Sequence, residues 1–184
     1  MSRSRAVTSI ILALGLFLMS SGISKVEELR YGLGKPATEP DIKAWDIDIA
    51  LNGAGLPHGR GTVQQGAILY AAKCAACHGP TGTEGPKDRL VGGQGSLATE
   101  HPIKTIGSYW PYATTLYDYI FRAMPFTAPQ SLTPDEVYSL VAWLLHQNGI
   151  ISKDAVMDAR TLPTIRMPNR DGFLSDSRPD GPIH

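Results

Sequence analysis

Cys74-Ala75-Ala76-Cys77-His78 is the stretch that decides how this chain is read. Two cysteines two residues apart, followed at once by a histidine, form the C-x-x-C-H attachment signature of a c-type haem. In such a site the two thiols bond to the porphyrin vinyl groups and the histidine is placed to ligate the iron. The alternatives are a chance cysteine pair, half of a zinc site, or a thioredoxin-like redox pair. A structural zinc site calls for four Cys or His ligands. These are the only two cysteines of the chain, so His58, His101, His146 and His184 would have to supply the rest, and their spacing is not zinc-like. A thioredoxin-type pair has no use for the following His78.

A haem attached this way in bacteria is attached outside the cytoplasm, so the chain should carry an export signal. Its N-terminus has the required order: Arg3 and Arg5, an apolar run from Ile10 to Met19, then the small residues Ser20, Ser21 and Gly22. This reads as a secretory signal over residues 1–22, removed near Gly22, and it predicts a periplasmic protein. The alternative is an uncleaved anchor, since the stretch from Ala6 to Ile23 approaches the length that spans a bilayer. With the two cysteines given over to haem, neither is expected in a disulfide.

The chain has 184 residues, 42% of them hydrophobic, which suits one modest domain with extensions. The charges balance at 17 basic and 17 acidic residues. A near-neutral protein is a poor partner for nucleic acid or an anionic membrane surface. No nucleic acid is expected, and contact with a membrane only if the signal is retained.

Outward from the haem motif, the pattern predicts an all-α domain over residues 62–150, a few helices around one covalently bound haem. It is flanked by an irregular extension at 23–61 and an arm or tail at 151–184. Thr62-Val63-Gln64-Gln65 has the form of a capping box, so a helix should run from Val63 to Cys74. On it Gly66 leaves room for another helix, with Tyr70 packed against it. Thr133-Pro134-Asp135-Glu136 starts a second strong helix, with a hydroxyl cap, proline in the first turn and acids at the positive end of the dipole. Its apolar face is Val137, Leu140, Val141 and Leu144, Gly149 ends it, and it is the natural mate of the first. Between them, a helix opening at Trp110-Pro111 should stop before Pro125. Residues 79–108 read as a long loop beneath the haem. A short helix from Thr38 or Glu39 to Trp45 and an extended Asp46-Ile47-Asp48-Ile49 complete the lead-in. From Ser152 onward, four prolines among charged residues show no period; the segment either wraps the domain as an ordered arm or hangs free, and composition alone favours partial disorder.

A six-coordinate haem needs a second axial ligand. Met124, in Arg122-Ala123-Met124-Pro125-Phe126, sits between two predicted helices in a loop that can bring a thioether over the far haem face. Met167-Pro168 copies the local pattern but lies in the tail, and Met157 has no such context. His78 and Met124 are therefore the expected axial ligands, a pairing that raises the potential relative to two histidines and closes the iron to substrates. The free ring N–H of His78 should meet a backbone carbonyl from the Gly85 to Leu90 segment. Arg89, Tyr109 and Trp110 are candidates for hydrogen bonds to the haem propionates.

These parts resemble the class I cytochromes c: Gly66 and Tyr70 on the opening helix, the Cys74 to His78 site, Gly85-Pro86 and Leu90, Met124-Pro125, and a closing helix with Trp143. Within that class the stretches Tyr109 to Ile120 and Arg122 to Leu132 are similar to the cytochrome c subunit of sulfite or sulfane dehydrogenases of bacterial sulfur oxidation. Tyr31 to Thr38, Trp45 to Asp48 and Asn169-Arg170-Asp171-Gly172-Phe173 are similar too. The resemblance implies the class I fold, one haem c, and a molybdenum-cofactor partner subunit that oxidises sulfite or sulfane sulfur and passes electrons singly to the haem. A downstream cytochrome or terminal oxidase would take them on. Sulfane-oxidising members often carry a second haem domain, whereas this chain has one haem motif. With both cysteines bonded to haem, no thiolate remains for molybdenum, so the chain alone is expected to be no enzyme. The competing readings are a free periplasmic electron shuttle and a haem enzyme with an open iron, the latter requiring that Met124 does not bind.

Overall fold

The computed structural model describes residues 33–174. The expected signal segment lies outside the described residues. The chain divides into two compact units, Met1–Thr38 and Glu39–His184. The described residues of the first, 33–38, are exposed and form no helix or strand.

The second unit is mainly helical. In chain order it holds α1 (Glu39–Trp45), β1 (Arg60–Thr62), α2 (Val63–Lys73), the single turn α3 (Ala75–His78), α4 (Ala113–Ala123), α5 (Pro134–Gln147) and β2 (Val156–Asp158), with 3-10 turns at Ser96–Ala98 and Leu162–Thr164. Both predicted capping boxes form. Thr62 Oγ1 accepts from the Gln65 N–H while Gln65 Oε1 accepts from the Thr62 N–H; Thr133 and Glu136 repeat the exchange at the head of α5. Each box satisfies donors that the first helical turn would leave without partners.

The core is built on α5, where Val137, Tyr138, Val141, Ala142 and Leu145 are wholly buried. Helix α2 crosses it at Gly66. A Cβ added there would lie 1.9 Å from the Ser139 carbonyl oxygen and 2.7 Å from Trp143 Cβ, so only glycine permits this approach. One turn further on, the rings of Tyr70 and Trp143 stack with centroids 3.9 Å apart, and Lys73 Nζ donates to Glu136 Oε1 at 2.8 Å. That bond is the main reason the Glu136 carboxyl is held below the usual carboxylate range.

The middle helix opens at Ala113 rather than Trp110, because Tyr112 stays extended (φ −137°, ψ 134°) and bridges antiparallel to Arg166. Of the two readings of the chain beyond Ser152, the described residues to 174 follow the ordered arm. Val156–Asp158 pairs antiparallel with Arg60–Thr62, bringing Gly61 opposite Met157, while Met157, Leu162 and Met167 are buried in the core. Strands of three residues are too short for a period of two to show in the sequence.

The lead-in is tied to α4 and α5 by side chains. Asp118 accepts from the Ile49 N–H at 3.0 Å and pairs with Arg122 at 2.6 Å. Thr114, one turn before it, donates to the Leu51 carbonyl at 3.1 Å, and Tyr138 Oη donates to that of Pro57 at 2.9 Å. Helix α1 buries none of its residues.

Candidate haem cleft

Helix α2 ends at Lys73 because Cys74 (φ −124°, ψ −36°) leaves helical geometry, and a fresh turn carries Ala75 to His78. The break swings Cys74, Cys77 and His78 to the edge of a cleft of about 670 Å³. The last turn of α4 reaches the same cleft from the other side. Met124 caps that helix through its N–H, donated to the Ile120 carbonyl at 3.1 Å, then turns extended and lines the wall with Pro125 and Phe126. Leu90 and Ile106 from the long loop, Leu116 and Ile120 from α4, and Leu140 and Leu144 from α5 supply an apolar lining. Lys87, Arg89 and Lys104 add positive charge to the lining.

Around His78 the backbone is fixed from several directions. His78 Nδ1 lies 2.8 Å from the Asp88 carbonyl oxygen, so Nδ1 carries the proton and Nε2 is the nitrogen left to act as a ligand. The Lys87 N–H donates to the Cys77 carbonyl at 3.0 Å, and Tyr70 Oη to the Gly79 carbonyl at 3.0 Å. Burial, with Cys74 and Glu84 nearby, pushes the Tyr70 hydroxyl up to about 12, which keeps it a donor. Burial likewise pushes the Cys74 thiol up to about 11, against the pull of Lys73, while Cys77 is exposed. After Gly79 the loop is drawn in by Glu84, whose carboxylate accepts from the Thr81 hydroxyl and from the N–H groups of Thr81 and Thr83. Those bonds hold Glu84 down at about 2.

Of the residues singled out in the sequence, Cys74, Cys77, His78, Met124, Arg89 and Trp110 all line the cleft. Tyr109 does not. Its ring lies under Lys104 Nζ, 5.1 Å from the centroid, and edge-on to Phe173, while its carbonyl accepts from Asn169 Nδ2. Trp110 packs edge-to-face on Tyr119 at 5.7 Å. The rival methionines Met157 and Met167 are core residues away from the cleft wall. His146 turns Nδ1 toward the Ile151 carbonyl instead. Leu132, Tyr119 and Lys104 were not anticipated as lining residues. Tyr119 falls one residue before Ile120 on the predicted helix, and helical periodicity gave the only available hint.

Two thiols, one imidazole and one thioether around a largely apolar cleft are the donors that a His/Met haem c requires, and the residues present fit that group.

Comparison with known proteins agrees. The family described as cytochrome C oxidase, cbb3-type, subunit III matches residues 61–144, from β1 through most of α5. A chain of the crystal structure of the sulfane dehydrogenase SoxCD from Paracoccus pantotrophus superposes with a TM-score of 0.75 at 42% sequence identity, over 81% of this chain and 74% of that one. No curated protein sequence matches the chain. With this fold, this cleft and this degree of identity, the chain belongs to the class I cytochromes c, haem-binding electron-transfer proteins, and within them it resembles the cytochrome c subunits of bacterial sulfite and sulfane dehydrogenases.

Proposed function

We propose that this chain is a periplasmic cytochrome with a single haem c bonded to Cys74 and Cys77. It takes electrons one at a time from a molybdenum sulfite dehydrogenase-type partner and hands them to a downstream cytochrome or terminal oxidase. The observation that carries this reading is the convergence of Cys74, Cys77, His78 and Met124 on one apolar cleft, although Met124 is 46 residues from His78 in the chain.

In this reading the two cysteines would tether the porphyrin, and His78 and Met124 would supply the side-chain ligands to the iron. Bound there, haem c supplies a one-electron iron couple whose potential is raised by thioether ligation. The chain's own residues set the conditions. Asp88 holds the His78 proton at Nδ1 and so orients the ring. Leu90, Ile106, Leu140 and Leu144 keep water from the cleft wall. With His78 and Met124 both bound to the iron, no place would remain there for a substrate, and bonded cysteines would leave no thiolate for molybdenum. The sulfur chemistry therefore belongs to the partner. The 42% identity to a chain of a sulfane dehydrogenase structure supports that assignment. The charged, apolar and small-residue order of residues 1–22 supports export and a periplasmic address.

The test is to express a tagged chain in its native host, recover it from the periplasm, assay the eluate for molybdenum and add sulfite while recording the haem spectrum. Sulfite-driven reduction with a molybdenum protein present is the expected result. A haem protein that arrives alone and ignores sulfite would overturn the dehydrogenase-partner reading and leave a general electron shuttle.

A further inference from the structure

We infer that Asn148, the residue that ends α5, is a positioning residue for His78, acting through the strip of backbone from Lys87 to Gly92. The inference rests on His78 being an iron ligand and not on the identity of the electron donor.

Asn148 is buried and uses every polar atom of its side chain. Nδ2 donates to the Leu144 carbonyl at 2.9 Å, closing the helix, and to the Leu90 carbonyl at 3.2 Å; Oδ1 accepts from the Gly92 N–H at 3.0 Å. Its own carbonyl accepts from Gln94 Nε2 at 3.0 Å. Gly107 is packed against this clamp so closely that a Cβ there would stand 2.2 Å from Asn148 Oδ1 and 2.6 Å from Gln94 Nε2.

Two residues before Leu90, the same strip meets the haem motif. Lys87 N–H donates to the Cys77 carbonyl and the Asp88 carbonyl accepts from His78. In between, the Leu90 N–H donates to the Gly82 carbonyl at 2.8 Å. The strip is thus a short strap with His78 at one end and Asn148 at the other, and α5 is the rigid body to which it is fastened. Helix α5 also fixes the approach to His78 from the opposite direction, through Trp143 on Tyr70 and Tyr70 Oη on the Gly79 carbonyl. A hydrogen bond to the outer nitrogen of a metal-bound imidazole fixes the ring and raises its basicity. Loosening the strap should therefore weaken the His78 to Asp88 bond, although Asn148 itself stands outside the cleft lining.

The experiment uses the purified holoprotein and its Asn148→Ala variant, with two readouts: solvent exchange of the His78 Nδ1–H proton by NMR, and the midpoint potential. Exchange should accelerate by about tenfold, the change expected when one hydrogen bond of ordinary net strength no longer holds the segment. The midpoint should move to more positive potential, because a less basic imidazole stabilises the ferric iron less. Leu162→Ala, which removes core packing outside the strap, should lower thermal stability yet leave both readouts in place. Should Asn148→Ala fail to fold, Gly107→Ala displaces the clamp from its other side and should give the same pair of changes. A folded variant of either kind with unchanged proton exchange and unchanged midpoint would overturn the inference, whatever sulfite does to the wild-type protein.

Discussion

The two sides of the cleft are held in different ways. On the His78 side, bonds reach across nine or more residues of chain: Tyr70 to Gly79, Lys87 to Cys77, Asp88 to His78, and, from the end of α5, Asn148 to Leu90 and Gly92. On the Met124 side the bonds are local, from Met124 to Ile120, Ala128 to Pro125 and Ser131 to Ala128, and Phe126, two residues past Met124, is 84% exposed. His78 is tied back to α2 and α5 through its loop, whereas Met124 is presented by the end of a helix. The difference implies that the Met124 side can be altered at little cost to the fold, whereas disturbance on the His78 side spreads into the crossing of α2 and α5.

Replacing His78 with Ala should be the severest change, abolishing the low-spin haem spectrum and lowering the yield of haem-loaded protein, as measured by absorbance per chain. Next comes Gly66→Ala, whose Cβ would meet the Ser139 carbonyl oxygen at 1.9 Å. Backbone there cannot step aside cheaply, and a loss of about 3 kcal/mol in denaturant unfolding is expected. Met124→Ala should break the comparison the other way, losing the low-spin spectrum and lowering the midpoint while shifting thermal unfolding by only a few degrees. A large loss of stability in that variant would mean the Met124 side is as deeply built in as the other. Thr133→Ala removes the α5 cap and should cost about 1 kcal/mol, with little effect on the spectrum.

The smallest effect concerns Glu136. Its folded-state carboxyl is depressed first by the Lys73 hydrogen bond and then by the Thr133 N–H. A depressed acid contributes stability that is present above its unfolded value and is lost as pH falls through the folded one. Stability should thus decline below the ordinary glutamate range of about 4.3, and Glu136→Gln should flatten that part of the pH profile. An unchanged profile in the variant would show that the Lys73 to Glu136 pair adds nothing to the α2 and α5 crossing.

What the sequence disclosed was local or chemically singular. Capping boxes at Thr62 and Thr133 are written within four residues, and C-x-x-C-H within five, so neither needed tertiary context. The acceptor for His78 came from the expected segment, at Asp88, because a ring held by its own loop has few carbonyls in reach. Met124 could be ranked over Met157 and Met167 because it lay between helices; the structure puts those two in the core. What stayed hidden depended on distant partners. Arg60–Thr62 and Val156–Asp158 pair across most of the domain, and nothing in either triplet names the other. Tyr109 neighbours Trp110 in sequence, yet Lys104, Asn169 and Phe173 hold it away from the lining. Asn148 looked like a residue before a helix-ending glycine, and its bonds to Leu90 and Gly92 appear only once the loop is folded back.

The proposed function requires that this cleft hold one haem c bonded to the chain through both cysteines. Intact mass spectrometry of the periplasmic protein under denaturing conditions, with parallel titration of free thiols, tests it most directly. A mass increment of a single haem that survives denaturation, with no titratable thiol, is expected; a chain without the increment, with Cys74 and Cys77 both free, would overturn the haem assignment.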